Sequence, residues 1–123
     1  MITTAEAKQR AVDQLVGFPA DITDDYLAFV EGGELFRLRQ VVLGVLQFHL
    51  AKPPAQPLTG LPGSTRLVED LGCDSLTMVD TLFLAESLFD IRLADDELAR
   101  VTTLDDLVEH FRQHITGSKP PSP

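Results

Sequence analysis

Apolar residues recur every three or four positions over most of this chain, which is the spacing of one face of an α-helix. Residues 3–16 predict a first helix, with Thr3 and Glu6 placed as a capping box at its start. A second, short helix is predicted to begin at Thr23 or Asp24 and to end at a pair of glycines. The N-terminal quarter of the chain is therefore expected to be helical.

The segment from Leu35 to Lys52 is the most apolar part of the chain, and its apolar stripe is wide enough to predict a helix covered on more than one side. Residues 52–66, KPPAQPLTGLPGSTR, contain four prolines and two glycines and predict a long loop. Such a length is unusual in a compact domain unless the loop has a purpose.

Helical spacing resumes over residues 75–89, and Thr103 is placed to cap a final helix. Between them, Phe89, Ile91 and Leu93 alternate as an extended link, and residues 94–101 predict at most a short helix. Residues 117–123 predict a loose tail. No alternating stretch is long enough to build a sheet, so the predicted fold is an all-α bundle.

Composition narrows the class of protein. The chain has 123 residues, 44% of them hydrophobic, which suits one compact domain with a modest core. Cys73 is the only cysteine, so no disulfide framework is expected and a cytoplasmic location is predicted. Residues 1–12 do not resemble an export signal, and the longest apolar run, residues 41–50, is too short to cross a bilayer. A soluble protein is expected.

Charge is concentrated in one part of the chain. Residues 1–68 carry seven acids and six bases, whereas residues 69–110 carry twelve acids and two bases within a total net charge of -9. An acidic field repels nucleic acid and anionic membranes and can steer basic protein partners. A merely solvated acidic surface is the alternative interpretation.

Most candidate chemical sites fail on spacing. His110 and His114 lie four residues apart, but no third metal ligand accompanies them, and we expect surface histidines. His49 is expected to pack against the bundle, and Cys73 has no neighbouring base in sequence and is interpreted as a small turn residue. No catalytic or metal-binding residue is predicted.

Ser75 is the exception. Gly72 frees the backbone to turn, Asp74 suits the N-cap position, and Ser75 then falls in the first turn of a helix with its hydroxyl outward. No neighbouring base would activate this hydroxyl as an enzyme's nucleophile. A phosphodiester on its oxygen, in contrast, would lie at the positive end of the helix.

The segment from Leu67 to Ile115 resembles the acyl carrier proteins. The matching motifs are Glu69-Asp70-Leu71-Gly72, Asp74-Ser75-Leu76, Phe89-Asp90-Ile91-Arg92-Leu93 and Thr102-Thr103, in the family's order and spacing. The resemblance implies a four-helix bundle with a long first loop. It also implies a non-enzymatic carrier, with 4′-phosphopantetheine transferred from coenzyme A to Ser75 by a separate phosphopantetheinyl transferase. Acyl intermediates of fatty acid, polyketide or related lipid synthesis would then be carried as thioesters.

The resemblance further implies a docking surface on the helix after Ser75, for acyl-loading, condensing or transferring enzymes with basic surfaces. Its expected residues are Asp74, Leu76, Val79, Asp80, Phe83 and Glu86. Thr77, Ser87 and Leu88 stand where many relatives have acids, and this departure is expected to thin the docking surface.

Residues 1–33 have no counterpart in the common small carriers. We expect three segments: an N-terminal helical extension over 1–33, a carrier domain over 34–116 and a disordered tail over 117–123. The extension is expected to add one or two helices that cover apolar surface, either on the Leu35–Lys52 helix or on the face formed by Leu84 and Leu88. A monomer is expected.

Two other functions remain open at this point. An aminoacyl or peptidyl carrier is the nearer one, although those carriers more often have histidine where this chain has Asp74. The other is an interaction module that has kept the bundle and lost the prosthetic arm.

Overall fold

The structure, a computed structural model, describes residues 3–50, 52, 54–92 and 100–116. Within these ranges the chain forms five α-helices and one isolated antiparallel bridge, between Arg66 and Thr103. The helices are α1 (Thr4–Gln14), α2 (Ala20–Gly32), α3 (Leu35–His49), α4 (Ser75–Phe89) and α5 (Leu104–Thr116). The predicted all-α bundle is confirmed, and the extension, for which one or two helices were expected, contains two, α1 and α2. No helix in the described ranges combines the length and apolar character needed to cross a membrane.

Helix α1 begins with the predicted capping box. The Thr3 hydroxyl accepts the backbone N–H of Glu6 at 3.1 Å, and the Glu6 carboxylate accepts that of Thr3 at 2.9 Å. Helix α2 begins at Ala20, three or four residues earlier than predicted, directly after its N-cap residue Pro19. It ends at Gly32, and the next residue, Gly33, has a φ of 74° and forms a left-handed C-cap.

Helix α3 is buried on several sides, as predicted. Its buried residues are Leu38, Val41, Val42, Leu43, Val45 and Leu46. Its first turn differs, since Leu35 and Phe36 are 52% and 61% exposed. The helix ends at His49, before the sequence reaches Pro53 and Pro54, which disfavour helical backbone.

The long loop is anchored to the helices. Its Leu58 is fully buried within a short 3-10 turn (Leu58–Gly60), and the Leu58 N–H donates to the Gln47 side-chain oxygen at 2.9 Å. At the end of the loop, the Leu67 N–H donates to the Thr102 carbonyl at 2.8 Å. These contacts fix where the chain enters α4. The predicted short helix over 94–101 lies mostly outside the described residues, as do Leu93 and the predicted tail.

The N-terminal helices share one hydrophobic core with the rest of the bundle. Tyr26 and Phe29 of α2 make edge contacts with the ring of Phe89 at the end of α4, with centroid distances of 5.4 and 5.7 Å. Ile22 of α2 packs over Gly44 of α3, where an added Cβ would lie 2.9 Å from the Ile22 side chain. The extension therefore covers α3, which is one of the two surfaces named from the sequence, and it also packs on Phe89 at the end of α4.

Candidate functional site

A tight turn delivers the chain to the start of α4. Gly72 has a φ of 70°, which only glycine adopts without strain, and its N–H donates to the Val68 carbonyl at 3.0 Å. The N–H of Cys73 donates to the Leu67 carbonyl at 3.0 Å. This turn buries the Cys73 side chain and turns the next residues outward, so that Asp74, Ser75 and Leu76 are all exposed.

Asp74 is the N-cap of α4, as predicted. Its carboxylate accepts the backbone N–H of Thr77 at 2.8 Å, and this hydrogen bond is the main reason that its pKa is lowered from the usual aspartate value. The carboxylate is therefore ionised at neutral pH and satisfies part of the positive end of the helix. A carboxylate held this way is a weak base, and it does not equip Ser75 as a nucleophile.

Ser75 is the first residue of α4 and is exposed to solvent. Within the described parts of the chain, no group makes a hydrogen bond to its hydroxyl. The hydroxyl is thus open to an incoming reagent at the first turn of α4. These properties fit a site that is modified by another protein's active site.

Cys73 does not compete with Ser75 for chemistry. The thiol is 4% exposed, and burial, assisted by the charge of Asp74, raises its pKa to about 11. It is therefore protonated at neutral pH and inaccessible, which agrees with its interpretation as a structural turn residue.

One face of α4 is apolar and open to solvent. Leu76, Val79 and Phe83 follow helical spacing and are 67%, 42% and 67% exposed. Asp80 is exposed beside them, whereas Glu86, one turn further along, is half-buried. We call Leu76, Val79, Asp80 and Phe83 the α4 face. Val68, in the turn before the helix, is 65% exposed and was not among the docking residues predicted from the sequence.

The opposite side of α4 is buried, and this corrects one expectation. Thr77, Thr81 and Leu88 are at most 5% exposed, and the Thr77 hydroxyl donates to the His49 carbonyl of α3 at 3.4 Å. Thr77 and Leu88 therefore cannot thin a docking surface, because they do not belong to one. Burial against other helices explains why these positions carry no acids.

Ser87 and Leu88 instead hold the N-terminal helices. The Arg10 guanidinium of α1 donates to the Ser87 carbonyl, and the Tyr26 hydroxyl of α2 donates to the Leu88 carbonyl. Arg10 also lies 3.9 Å from the Asp90 carboxylate. Neither Arg10 nor Tyr26 was identified from the sequence, because nothing in their local spacing indicates which helix they meet.

The histidines do not assemble a metal site in the described ranges, where no group of three potential ligands occurs. His110 is only 8% exposed, so the expectation of two surface histidines is wrong for this residue; its ring lies on the packed flank of α5, 4.6 Å from that of His114. His49 packs beside Phe18 and Phe48, as expected.

Comparison with known proteins gives one family. A family model described as "Phosphopantetheine attachment site" matches residues 37–111, a region that contains all of α4. An acyl carrier protein of Desulforapulum autotrophicum is 40% identical over 47 residues, which are 38% of this chain and 61% of the relative. An acyl carrier protein of Clostridium acetobutylicum is 32% identical over 56 residues, 46% of this chain and 73% of the relative.

A third relative, an acyl carrier protein of Amoebophilus asiaticus, is 28% identical over 78 residues, covering 63% of this chain and 92% of its own length. No solved structure matches the chain significantly. The chain thus spans 61% of the Desulforapulum relative, and the family match begins inside α3, after the two N-terminal helices.

Proposed function

Because the chain belongs to the phosphopantetheine-attachment family, together with acyl carrier proteins, we propose that it is an acyl carrier whose Ser75 holds 4′-phosphopantetheine. The observation that carries this proposal is the exposed Ser75 hydroxyl at the first position of α4, directly after the Asp74 cap. When bound, the group supplies a terminal thiol on which an acyl chain is held as a thioester.

The residues around Ser75 suit this role. The Gly72 turn brings the hydroxyl to the surface, and the N-cap hydrogen bond of Asp74 holds the first helical turn in place. The positive end of α4 favours an anion at this position, while the Asp74 carboxylate already satisfies part of it. The hydroxyl needs no internal base, since a separate phosphopantetheinyl transferase would remove its proton and join its oxygen to the phosphorus that bears the pantetheine of coenzyme A. The pyrophosphate bond of coenzyme A would break in this step, and adenosine 3′,5′-bisphosphate would leave.

Partner enzymes would dock on the α4 face. Its exposed apolar side chains, Leu76, Val79 and Phe83, offer contact area beside Ser75, and the Asp74, Asp80 and Glu86 carboxylates would meet basic partner surfaces. Charge complementarity raises association rates more than it raises affinity, which suits a carrier that must release each partner. The chain contributes presentation, and catalysis belongs to the partners.

The proposed function extends to the source of the acyl chains and to the cellular compartment. Fatty acid, polyketide or related lipid synthesis would supply the acyl chains, and the free Cys73 thiol suits a reducing compartment such as the cytoplasm. Within the chain, we propose residues 34–116 as the carrier unit, residues 1–33 as a structural extension and residues 117–123 as a tail.

Modification in vitro tests the proposal. The purified protein is incubated with coenzyme A and a promiscuous phosphopantetheinyl transferase, and its intact mass is measured. We expect the wild type to gain the mass of one phosphopantetheinyl group and Ser75→Ala to gain none. Ser64→Ala removes another exposed serine and serves as the matched control, which should gain the group like the wild type.

The outcomes separate the open functions. An unchanged wild-type mass would favour an unmodified interaction module and reject the carrier. A mass gain in Ser75→Ala would place the arm elsewhere. If the arm is added to Ser75, the next experiment compares transfer of the loaded arm from acyl coenzyme A analogues with its transfer from aminoacyl coenzyme A analogues.

A further inference from the structure

A small cavity lies beside the turn that leads to Ser75. It has a volume of about 380 Å³ and is bounded by the end of α3, part of the long loop and the turn before α4. We call it the loop cavity. Its lining combines apolar and polar side chains, which include Leu50, Leu61, Leu71, Lys52, Gln56 and Asp70. A mostly apolar concavity with a few polar groups is typical of a small-molecule site.

The α3 wall of the loop cavity is joined to the first turn of α4. This wall is Leu50, which directly follows His49. The His49 carbonyl accepts a hydrogen bond from the Thr77 hydroxyl at 3.4 Å, and Thr77 lies two residues after Ser75. The end of α3 and the start of α4 therefore lie side by side, and the cavity adjoins both.

The opposite wall, Asp70 and Leu71, belongs to the same turn as Ser75. The Arg66 backbone N–H donates to the Asp70 carboxylate at 2.8 Å, which fixes this wall. Leu71 precedes Ser75 by four residues, so their Cα atoms are at most about 15 Å apart, because consecutive Cα atoms are separated by about 3.8 Å. A phosphopantetheine arm has about 13 bonds between phosphorus and sulfur and reaches roughly 16 Å when extended. An arm on Ser75 is long enough to enter the cavity.

The loop wall is held in place before any ligand arrives. Leu58 is fully buried, and the Arg39 guanidinium of α3 donates to the Thr59 carbonyl at 3.2 Å. These contacts position Leu61, which lines the cavity two residues later. A preformed wall lowers the entropic cost of ordering a bound group.

We propose that the loop cavity holds the phosphopantetheine arm of Ser75 between encounters with partner enzymes. The inference rests on the proposed function, since it requires an arm on Ser75. It gives the unusually long loop a purpose, because the loop supplies one wall of the cavity.

The lining matches the chemistry of the arm. The geminal methyl groups and methylenes of pantetheine gain by leaving water for apolar walls such as Leu61 and Leu71. The Gln56 side chain can both donate to and accept from the two amide groups of the arm. The Lys52 ammonium offers an opposite charge to the phosphodiester.

A larger cavity on the other side of Leu50 suits the arm less well. It has a volume of about 620 Å³, and its lining includes the three carboxylates of Asp21, Asp24 and Asp25. Arg37, the cation of its described lining, already lies 2.6 Å from Asp25. An anionic phosphodiester would meet negative charge there. In the loop cavity, the Asp70 carboxylate is paired with Arg66 at 3.2 Å.

Nuclear Overhauser effects can locate the arm. Uniformly ¹³C,¹⁵N-labelled protein is loaded from unlabelled coenzyme A with a promiscuous transferase, and loading is verified by intact mass. An isotope-filtered NOESY spectrum then reports contacts between the arm and the protein. We expect cross-peaks from the geminal methyl protons of the arm to the methyl groups of Leu61 and Leu71. Cross-peaks to Leu76 and Val79 alone, or none, would overturn the inference.

Two tryptophan variants refine the test. Ala55 lines the loop cavity and is exposed, so Ala55→Trp adds a large side chain there without replacing a core residue. Ala5→Trp makes the same change at an exposed position of α1 and is the matched control. The cross-peaks to Leu61 and Leu71 should be lost in the first variant and kept in the second. Cross-peaks of full strength in both would contradict the cavity as the position of the arm.

Failures of the two proposals are distinguishable. No mass gain of the wild type with the transferase would reject the carrier function, and the inference would fall with it. Full loading of the wild type without contacts from the arm to Leu61 and Leu71 would reject only the loop cavity.

Discussion

Cys73 and Ser75 stand two residues apart in opposite environments. The Gly72 turn sends the thiol into the core at 4% exposure and leaves the hydroxyl at the surface. The glycine and the cap were visible in the sequence, so the outward position of Ser75 was predictable. The depth of Cys73 was not, because its burial depends on which helices close over the turn.

The environment of Cys73 predicts slow thiol chemistry. With a pKa of about 11, we expect native unmodified protein at pH 8 to react with Ellman's reagent at least about 100-fold more slowly than glutathione. Unfolding in guanidinium chloride should release one fast thiol. Cys73→Ala is the control and should show no protein thiol under either condition. A native wild-type thiol that reacts as fast as glutathione would contradict the buried position.

Asp74 predicts a pH dependence of stability. Its pKa is lower in the folded protein than in the unfolded chain, so its contribution is complete above the unfolded value and is lost as pH falls below about 4. Asp74→Asn retains a capping side chain but does not titrate at this pH. The difference in Tm between wild type and this variant should therefore shrink from pH 6 to pH 3. A constant difference would show that the charge of Asp74 adds nothing.

At the scale of elements, the end of α4 is held by the N-terminal helices. Carbonyl groups in the last turn of a helix have no partner within it, and here Arg10 and Tyr26 donate to two of them, those of Ser87 and Leu88. Burial raises the pKa of Tyr26 to about 12, so the phenol stays protonated and remains a donor at physiological pH. The extension thus completes the helix that carries Ser75.

Tyr26→Phe tests this contact. The variant keeps the ring that packs on Phe89 and removes the donor, leaving the buried Leu88 carbonyl without it. We expect a loss of about 1–3 kcal/mol in the free energy of unfolding, measured by urea denaturation. Gln9→Ala removes an exposed hydrogen bond to Asp13 and should change stability by less than about 0.5 kcal/mol. Equal effects of the two variants would contradict the role of Tyr26.

The positions of the helices could be predicted from the sequence more accurately than the contacts between them. Apolar spacing and caps gave α1, α3, α4 and α5 to within a few residues, and α4 from Ser75 to Phe89 without error. Spacing alone could not tell the exposed side of α4 from the side covered by the extension. For that reason Thr77 and Leu88 were misassigned, although they are buried against other helices.

At the scale of the whole molecule, the extension and the carrier-like bundle share one core. Deleting residues 1–33 would expose the Phe89 ring and the α3 surface around Gly44. We expect a lower Tm and stronger binding of an apolar fluorescent dye. Ile22→Ala keeps the chain length and should move both readouts in the same direction by less. Unchanged Tm and dye binding after the deletion would show that the extension covers no apolar surface of α3 or α4 that matters for stability.

The charge distribution and the fold could be predicted from the sequence, whereas the exposed apolar side chains of α1 could not. Val12 and Val16 lie within the helix predicted over residues 3–16, and both are exposed. A single helix shows an apolar stripe but not whether a second helix closes over it.

The proposed carrier function requires that phosphopantetheine is attached to Ser75 in the cell. The most direct measurement is mass spectrometry of the protein isolated from its native host, on the intact chain and on the proteolytic fragment that contains Ser75. We predict phosphopantetheine on that fragment, with an acyl group held as a thioester in the loaded fraction. A fragment that is unmodified in every growth condition would contradict the carrier function.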